Sequence, residues 1–74
     1  MANDNVFVLV FSSDNYNKEE LNVMPDNERY DLALHAKTHG YDETDVLSLQ
    51  EFETMFNDGL ICPDSCYIYF HVIG

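Results

Sequence analysis

The side chains best suited to chemistry in this 74-residue chain are two histidines and two cysteines. His35 and His39 stand four residues apart, about one helical turn, and Cys62 and Cys66 have the same spacing. Imidazole and thiolate groups are the usual ligands of structural zinc, so the four side chains could form a Cys2His2 site. A bound metal would also stabilise a domain whose core must be small.

Each pair also has an ordinary explanation that involves no ligand. His39 precedes Gly40, a residue that commonly ends a helix, and the helix dipole favours a histidine at that position. Cys66 is typical of an inward-facing strand residue, and Cys62 of a small apolar residue at a turn. Familiar zinc sites also have more closely spaced cysteines. We therefore expect no metal and no cofactor, and keep a small zinc-stabilised domain as the second alternative.

The spacing of Cys62 and Cys66 leaves open a disulfide across the turn formed by residues 63–65. It does not favour redox catalysis, because three residues rather than two separate the thiols and no basic group stands nearby to lower a thiol pKa. We expect no other catalytic site. The glycines form no phosphate-binding loop, and the serines suit turns or a helix cap better than a nucleophile elbow. The sequence therefore predicts a protein that is not an enzyme.

The net charge excludes two classes of partner. Fourteen acidic and three basic residues give −11 at pH 7, without the Lys and Arg clusters that bind nucleic acid or an anionic membrane surface. The last 34 residues, 41–74, contain no Lys or Arg, so their tyrosines do not predict a base-stacking platform. We predict an acidic surface in this half of the chain, formed by Asp42, Glu43, Asp45, Glu51, Glu53 and Asp58.

The composition predicts one small globular domain spanning residues 1–74. With 46% hydrophobic and 14% aromatic residues, the chain is too apolar for a disordered acidic tail. Its longest apolar run, Val6 to Phe11, is far shorter than a membrane span, and two cysteines are too few for a secreted disulfide framework. The N-terminal residues lack the basic region of a signal peptide. We therefore expect a cytoplasmic protein.

The hydropathy pattern predicts strands and helices in alternation. Both faces of the first strand are apolar, which is typical of a strand covered on two sides or of one that keeps a face for a partner. Ser48 and Glu51 form a capping box, and Gly59 predicts a Schellman ending. The predicted order is a strand at 6–11, a helix at 27–39 capped by Asp26 or Asn27, a strand at 44–47, a helix at 49–58 and a strand at 66–73.

The segment from residue 12 to residue 25 has two interpretations. Asn17 could cap a helical turn that contains Glu20, or residues 21–23 could form an edge strand that pairs with the first strand. The sequence alone leaves the choice open. The prediction is thus an α+β or small α/β fold of order β-α-β-α-β, with three strands, or four if the edge strand forms.

Right-handed crossovers between parallel neighbouring strands would place both helices on one face of the sheet. The other face would then be open and suited to an interface. On the last strand we expect this face to carry the tyrosines, beside one of the two faces of the first strand. The candidate interface residues are Phe7, Leu9, Phe11, Tyr67, Tyr69 and His71, with Val6, Val8 and Val10 as the alternative set on the first strand.

These patterns predict a small acidic interaction module that uses an open aromatic and apolar sheet face to dimerise or to dock a protein partner. The alternative is an inhibitor that imitates nucleic acid and binds a basic DNA- or RNA-binding protein. In charge alone, the chain is similar to such inhibitors from phages and mobile elements.

Overall fold

The structure, a computed structural model, describes residues 5–40 and 44–73. Within these ranges the chain forms three strands and three helices. In chain order they are β1 (Val6–Ser12), α1 (Lys18–Val23), α2 (Asp26–His39), β2 (Asp45–Ser48), α3 (Leu49–Asn57) and β3 (Cys66–Val72). The predicted α+β fold and its β-α-β-α-β order are confirmed, with α1 as an additional helix in the segment that the sequence left open.

The strands form one sheet in the order β2-β1-β3, and both neighbouring pairs are antiparallel. Leu9 at the centre of β1 pairs with Val46 on one side and with Tyr69 on the other. The expectation of parallel neighbours is wrong, because two helices rather than one connect β1 to β2 and the single-crossover rule does not apply there. β2 and β3 run parallel to each other with β1 between them, and α3 connects them.

The helices cover opposite faces of the sheet, which corrects the prediction that both lie on one face. Leu9 and Phe11 of β1 pack in one cluster with Leu21 of α1 and Ala33 of α2. The intervening residues of β1 point the other way, where Val8 packs in a second cluster with residues of α3. The central strand is thus covered on two sides, which accounts for its two apolar faces.

α1 is short, and polar groups hold both of its ends. The Asn17 side-chain oxygen accepts hydrogen bonds from the backbone amides of Glu19 and Glu20, at 2.8 and 3.4 Å. At the other end, the Arg29 guanidinium donates to the carbonyls of Leu21 and Met24, at 2.7 and 3.0 Å. This anchoring of backbone groups favours the helix over the alternative edge strand.

α2 follows Pro25 and begins without a side-chain cap, so the predicted capping role of Asp26 or Asn27 is wrong. Asp26 is itself the first residue of the helix, and its carboxylate accepts a hydrogen bond from His71 instead. Gly40 ends α2 in the left-handed region with φ of 69°, as its position predicted.

Both ends of α3 confirm the sequence prediction. The Ser48 hydroxyl accepts a bond from the Glu51 amide at 3.1 Å, and the Glu51 carboxylate accepts one from the Ser48 amide at 3.2 Å. At the far end the Leu60 amide donates to Met55 O at 2.9 Å and the Gly59 amide to Phe56 O at 3.1 Å. These two bonds, with Gly59 at φ 76°, make a Schellman motif.

Candidate functional site

The outer edge of β3 carries backbone groups that do not point at β1. At the two ends of the β1–β3 ladder, the Ser13 amide donates to Ser65 O at 3.1 Å and the Ile73 amide donates to Asn5 O at 2.7 Å. Hydrogen-bonded pairs occur at every second position of an antiparallel ladder. The backbone amides and carbonyls of the odd-numbered residues of β3 therefore point towards β1. The amides and carbonyls that face outward belong to Cys66, Ile68, Phe70 and Val72.

The side chains of these same four residues lie on the sheet face that α3 covers only in part. Cys66 and Ile68 pack against the cluster beneath α3, but Phe70 is 57% exposed and Val72 is 60% exposed. Phe52 of α3 meets Phe70 edge-on, with 6.2 Å between the ring centroids. α3 therefore covers Phe70 only in part and leaves the outer part of β3 exposed.

Phe56 extends this exposed surface along α3. Its ring centroid lies 5.7 Å from that of Phe52, and the residue is 43% exposed. The rings of Phe56, Phe52 and Phe70 thus form a row that continues along β3 to Val72. We call these four residues, Phe52, Phe56, Phe70 and Val72, the apolar patch.

On the opposite face, a polar cluster fixes the side chain of Tyr69. Its hydroxyl donates to the Asn22 side-chain oxygen at 2.5 Å, and the Arg29 guanidinium carbon lies 4.4 Å from the centre of its ring. Arg29 is mostly buried and also lies 3.6 Å from the Asp26 carboxylate. The hydrogen bond to Asn22 joins β3 to α1, and the cation–π contact with Arg29 joins it to α2. The Arg29–Asp26 ion pair lies within α2.

His71 occupies a closed position in the same cluster. It is 6% exposed, its Nδ1 lies 2.5 Å from Asp26 Oδ2, and its ring stacks on Tyr30 with centroids 4.2 Å apart and planes 11° apart. Asp26 orients the imidazole and Tyr30 covers it. The geometry assigns His71 a packing role rather than a place on an accessible surface.

The predicted open face is therefore covered. Leu9 and Phe11 are fully buried, and Phe7, Tyr67 and Tyr69 are partly buried against the cluster beneath α1 and α2. The alternative set on β1 is closed as well, with Val8 and Val10 buried and Val6 half-buried. The open apolar surface lies on the other face, at Phe70 and Val72. The sequence predicted that both of these residues lie on one face of the last strand. It did not predict how much of that face the helix α3 covers.

The histidine and cysteine pairs do not meet. The rings of His35 and His39 lie next to each other on the exposed side of α2, with centroids 4.2 Å apart and planes tilted by 36°. Cys66 packs under α3 on the opposite face of the sheet. Among residues 5–40 and 44–73, no three His, Cys, Asp or Glu side chains come together in a group that could hold a metal ion. The Cys2His2 combination that the spacing left as an alternative is not assembled by these four residues.

The two cysteines are free thiols, and the turn between them is closed by hydrogen bonds. Cys66 Sγ donates to the Cys62 carbonyl at 3.0 Å, and Ser65 N donates to the same carbonyl at 3.0 Å. Burial, and secondly the charge of Cys62, raise the pKa of the Cys66 thiol. A raised pKa leaves less of the reactive thiolate at Cys66.

The predicted acidic residues Glu51, Glu53 and Asp58 are exposed, on and just after α3, and Asp45 is half-buried on β2. Asp42 and Glu43 lie outside the described residues. In contrast, β3 contains no charged residue from Cys66 to Val72 when histidine is counted as neutral. Two of the three cations act internally, since Lys37 Nζ donates to the Val46 carbonyl at 2.6 Å and Arg29 is held as described above.

The described residues thus place an apolar patch beside an open strand edge, within a surface that is otherwise strongly acidic. No helix in this part of the chain is both long enough and apolar enough to cross a membrane. The chain matches no family model, no curated protein and no solved structure.

Proposed function

We propose that this protein is a non-enzymatic interaction module that binds a protein partner through the apolar patch and the outer edge of β3. The observation that carries the proposal is that Phe70 and Val72 combine exposed apolar side chains with outward-facing backbone amides and carbonyls. A partner strand could satisfy the backbone groups while its side chains cover the patch.

The residues of β3 itself include none of the features that usually prevent strand addition. Natural edge strands are blocked by lysines, prolines, bulges or short length. β3 is seven residues long, pairs with β1 without a bulge, and contains neither lysine nor proline. An unblocked edge beside exposed phenylalanines is what a binding site needs, because aromatic anchors supply much of the affinity at protein interfaces.

The charge of the chain is consistent with this role. A net charge of −11 opposes non-specific association, so stable binding needs a specific apolar surface. The charge-free strand then concentrates binding at one surface. We propose the cytoplasm as the place where this binding occurs, on the same sequence grounds as above.

The test is site-specific photo-crosslinking in the source cell. A photoreactive residue at Val72 should give discrete protein adducts, because position 72 lies in the patch. The matched control is Leu34, an exposed apolar residue at 42% on α2, which packs over β1 and β2 away from the edge of β3. Adducts at both positions alike, or none at position 72, would contradict the proposal.

Salt dependence separates this proposal from imitation of nucleic acid. Binding through an apolar patch should persist in 0.5 M salt, which is about the ionic strength that screens simple charge attraction between exposed groups. Adducts that form only at low salt, and only from positions on the acidic residues of α3, would favour the inhibitor instead.

A further inference from the structure

We infer that the partner of this surface is a second copy of the same chain, added antiparallel along β3 so that the two sheets become one continuous sheet. This inference rests on the proposed function, since it names the partner of the same patch and edge.

The pattern of outward backbone groups restricts the register. Only even-numbered residues of β3 direct their amides and carbonyls outward, so a second β3 must pair even residues with even residues. The register that uses all four of them pairs Cys66 with Val72 of the second copy and Ile68 with Phe70 of the second copy. A two-fold axis then passes beside Tyr69, which faces Tyr69 of the second copy.

The side chains that meet in this register are compatible on both faces. On the α3 side, the apolar residues of β3 lie opposite the same set in reverse order, so the exposed Phe70 gains an apolar neighbour in Ile68 of the second copy. On the other side, Tyr67 lies opposite His71 of the second copy. No charged side chain of β3 meets a like charge, since histidine is the only residue of the strand that can carry a positive charge.

One pair of opposite charges beside the edge would meet across the two-fold axis. Lys18 lines a shallow hollow next to Tyr67 at one end of the strand. Asp26, whose side chain is 46% exposed, binds His71 at the other end. Because the second copy runs antiparallel, Lys18 of one chain comes to the same end as Asp26 of the other. One such pair of opposite charges forms at each end of the paired strands, where it offsets part of the repulsion from Asp14, Glu19 and Glu20, which also lie near Tyr67.

The surface available is enough for a small dimer interface. Phe70, Val72, Phe56 and Ile73 are each between 42% and 60% exposed. With large apolar side chains of roughly 150–200 Å² each and the half-buried residues along the edge, each copy would bury roughly 500 Å². The total, about 1,000 Å², lies at the lower limit for a specific interface. We therefore expect a reversible dimer that dissociates on dilution.

Sedimentation equilibrium of the purified 74-residue chain tests for the dimer, and disulfide trapping tests its register. The mass should rise towards twice 8.6 kDa with increasing concentration. In a Cys62→Ser background, Val72→Cys should form a disulfide with the native Cys66 of the second copy, because paired residues of this kind have Cα atoms about 5.5 Å apart. The control, Leu34→Cys in the same background, should form at least tenfold less cross-linked dimer under the same oxidant.

The outcomes separate this inference from the proposed function. A dimer that Val72→Cys traps selectively supports the second copy as partner. A chain that stays at 8.6 kDa at all concentrations overturns it, and so does a dimer trapped equally at positions 34 and 72. If the chain is monomeric but the cellular adducts at position 72 contain another protein, the proposed function stands and only the second copy is wrong. If position 72 gives no adducts, both fail.

Discussion

Replacing Phe70 by alanine should cost the fold little, whereas the same replacement at Phe11 should cost it a great deal. Both residues are phenylalanines, but they differ in how far they are buried. Phe11 is fully buried and meets Tyr16 and Tyr69 edge-on, with ring centroids 4.9 and 6.0 Å apart. Phe70 is 57% exposed and meets Phe52 at the rim of α3.

The magnitudes follow from these environments. Phe11→Ala removes a fully enclosed ring and leaves a cavity, which typically costs about 3–5 kcal/mol. A 74-residue domain has a total stability of roughly 4–11 kcal/mol, so this change removes a large share of it. Phe70→Ala loses less than half of one side chain's burial and encloses no cavity, which corresponds to about 1 kcal/mol.

Urea denaturation followed by circular dichroism measures both changes, and the chain has no tryptophan to follow by fluorescence. Low protein concentration keeps self-association from adding to the measured stability. At high concentration, Phe70→Ala should also lower the fraction of associated chain. If Phe70→Ala destabilised the isolated domain as much as Phe11→Ala does, Phe70 would belong to the core and the proposed binding surface would be refuted.

One chemical modification and two substitutions test the local structure. Alkylation followed by mass spectrometry should show that Cys62 reacts faster than Cys66 and that Cys66 needs a higher pH, because burial raises the pKa of its thiol. The Ser48 amide, and secondly its hydroxyl, hold the pKa of Glu51 below its ordinary value, so this stabilisation is lost as the pH falls through the folded-state pKa. Glu51→Gln should therefore show a weaker loss of stability in acid denaturation than the wild type. Gly59→Ala should cost about 1–2 kcal/mol in a urea melt through strain at φ 76°, since an added Cβ meets no atom within 4 Å.

The elements with local signals were predictable from the sequence. Ser48 and Glu51 cap α3 from within one helical turn, and Gly59 closes it through bonds that span only a few residues. Such interactions depend on neighbours in the chain, so the spacing of residue types is sufficient to predict them. The alternation of side chains along β3 belongs to the same class.

The strand pairing and the open face were not predictable in this way. α1 depends on Arg29, which reaches back from α2 to hold the carbonyls of Leu21 and Met24. Without that tertiary contact the segment has two comparable local interpretations. Once α1 forms, the connection from β1 to β2 no longer follows the rule for one crossover helix, and the helices cover both faces of the sheet.

The proposed binding surface differs from the one that the sequence predicted, again because contacts between distant residues determine which face of β3 is covered. The sequence places Tyr67, Tyr69 and His71 on one face of the last strand. It does not show that Asn22 and Arg29 hold Tyr69 there, or that Asp26 holds His71. These partners are between 40 and 47 residues away in the chain. The exposure of Phe70 likewise depends on where α3 crosses the sheet, which only the packed structure determines.

Amide hydrogen exchange along β3, measured residue by residue by NMR, tests the central claim most directly. In the dilute chain, the amides of Tyr67, Tyr69 and His71 should exchange slowly, since they face β1, and those of Ile68, Phe70 and Val72 should exchange fast. Binding at the edge should slow the second set at high protein concentration or with a bound partner. Uniform protection of all six amides in the dilute chain, or fast exchange at 68, 70 and 72 in the bound state, would contradict an interaction through the edge of β3.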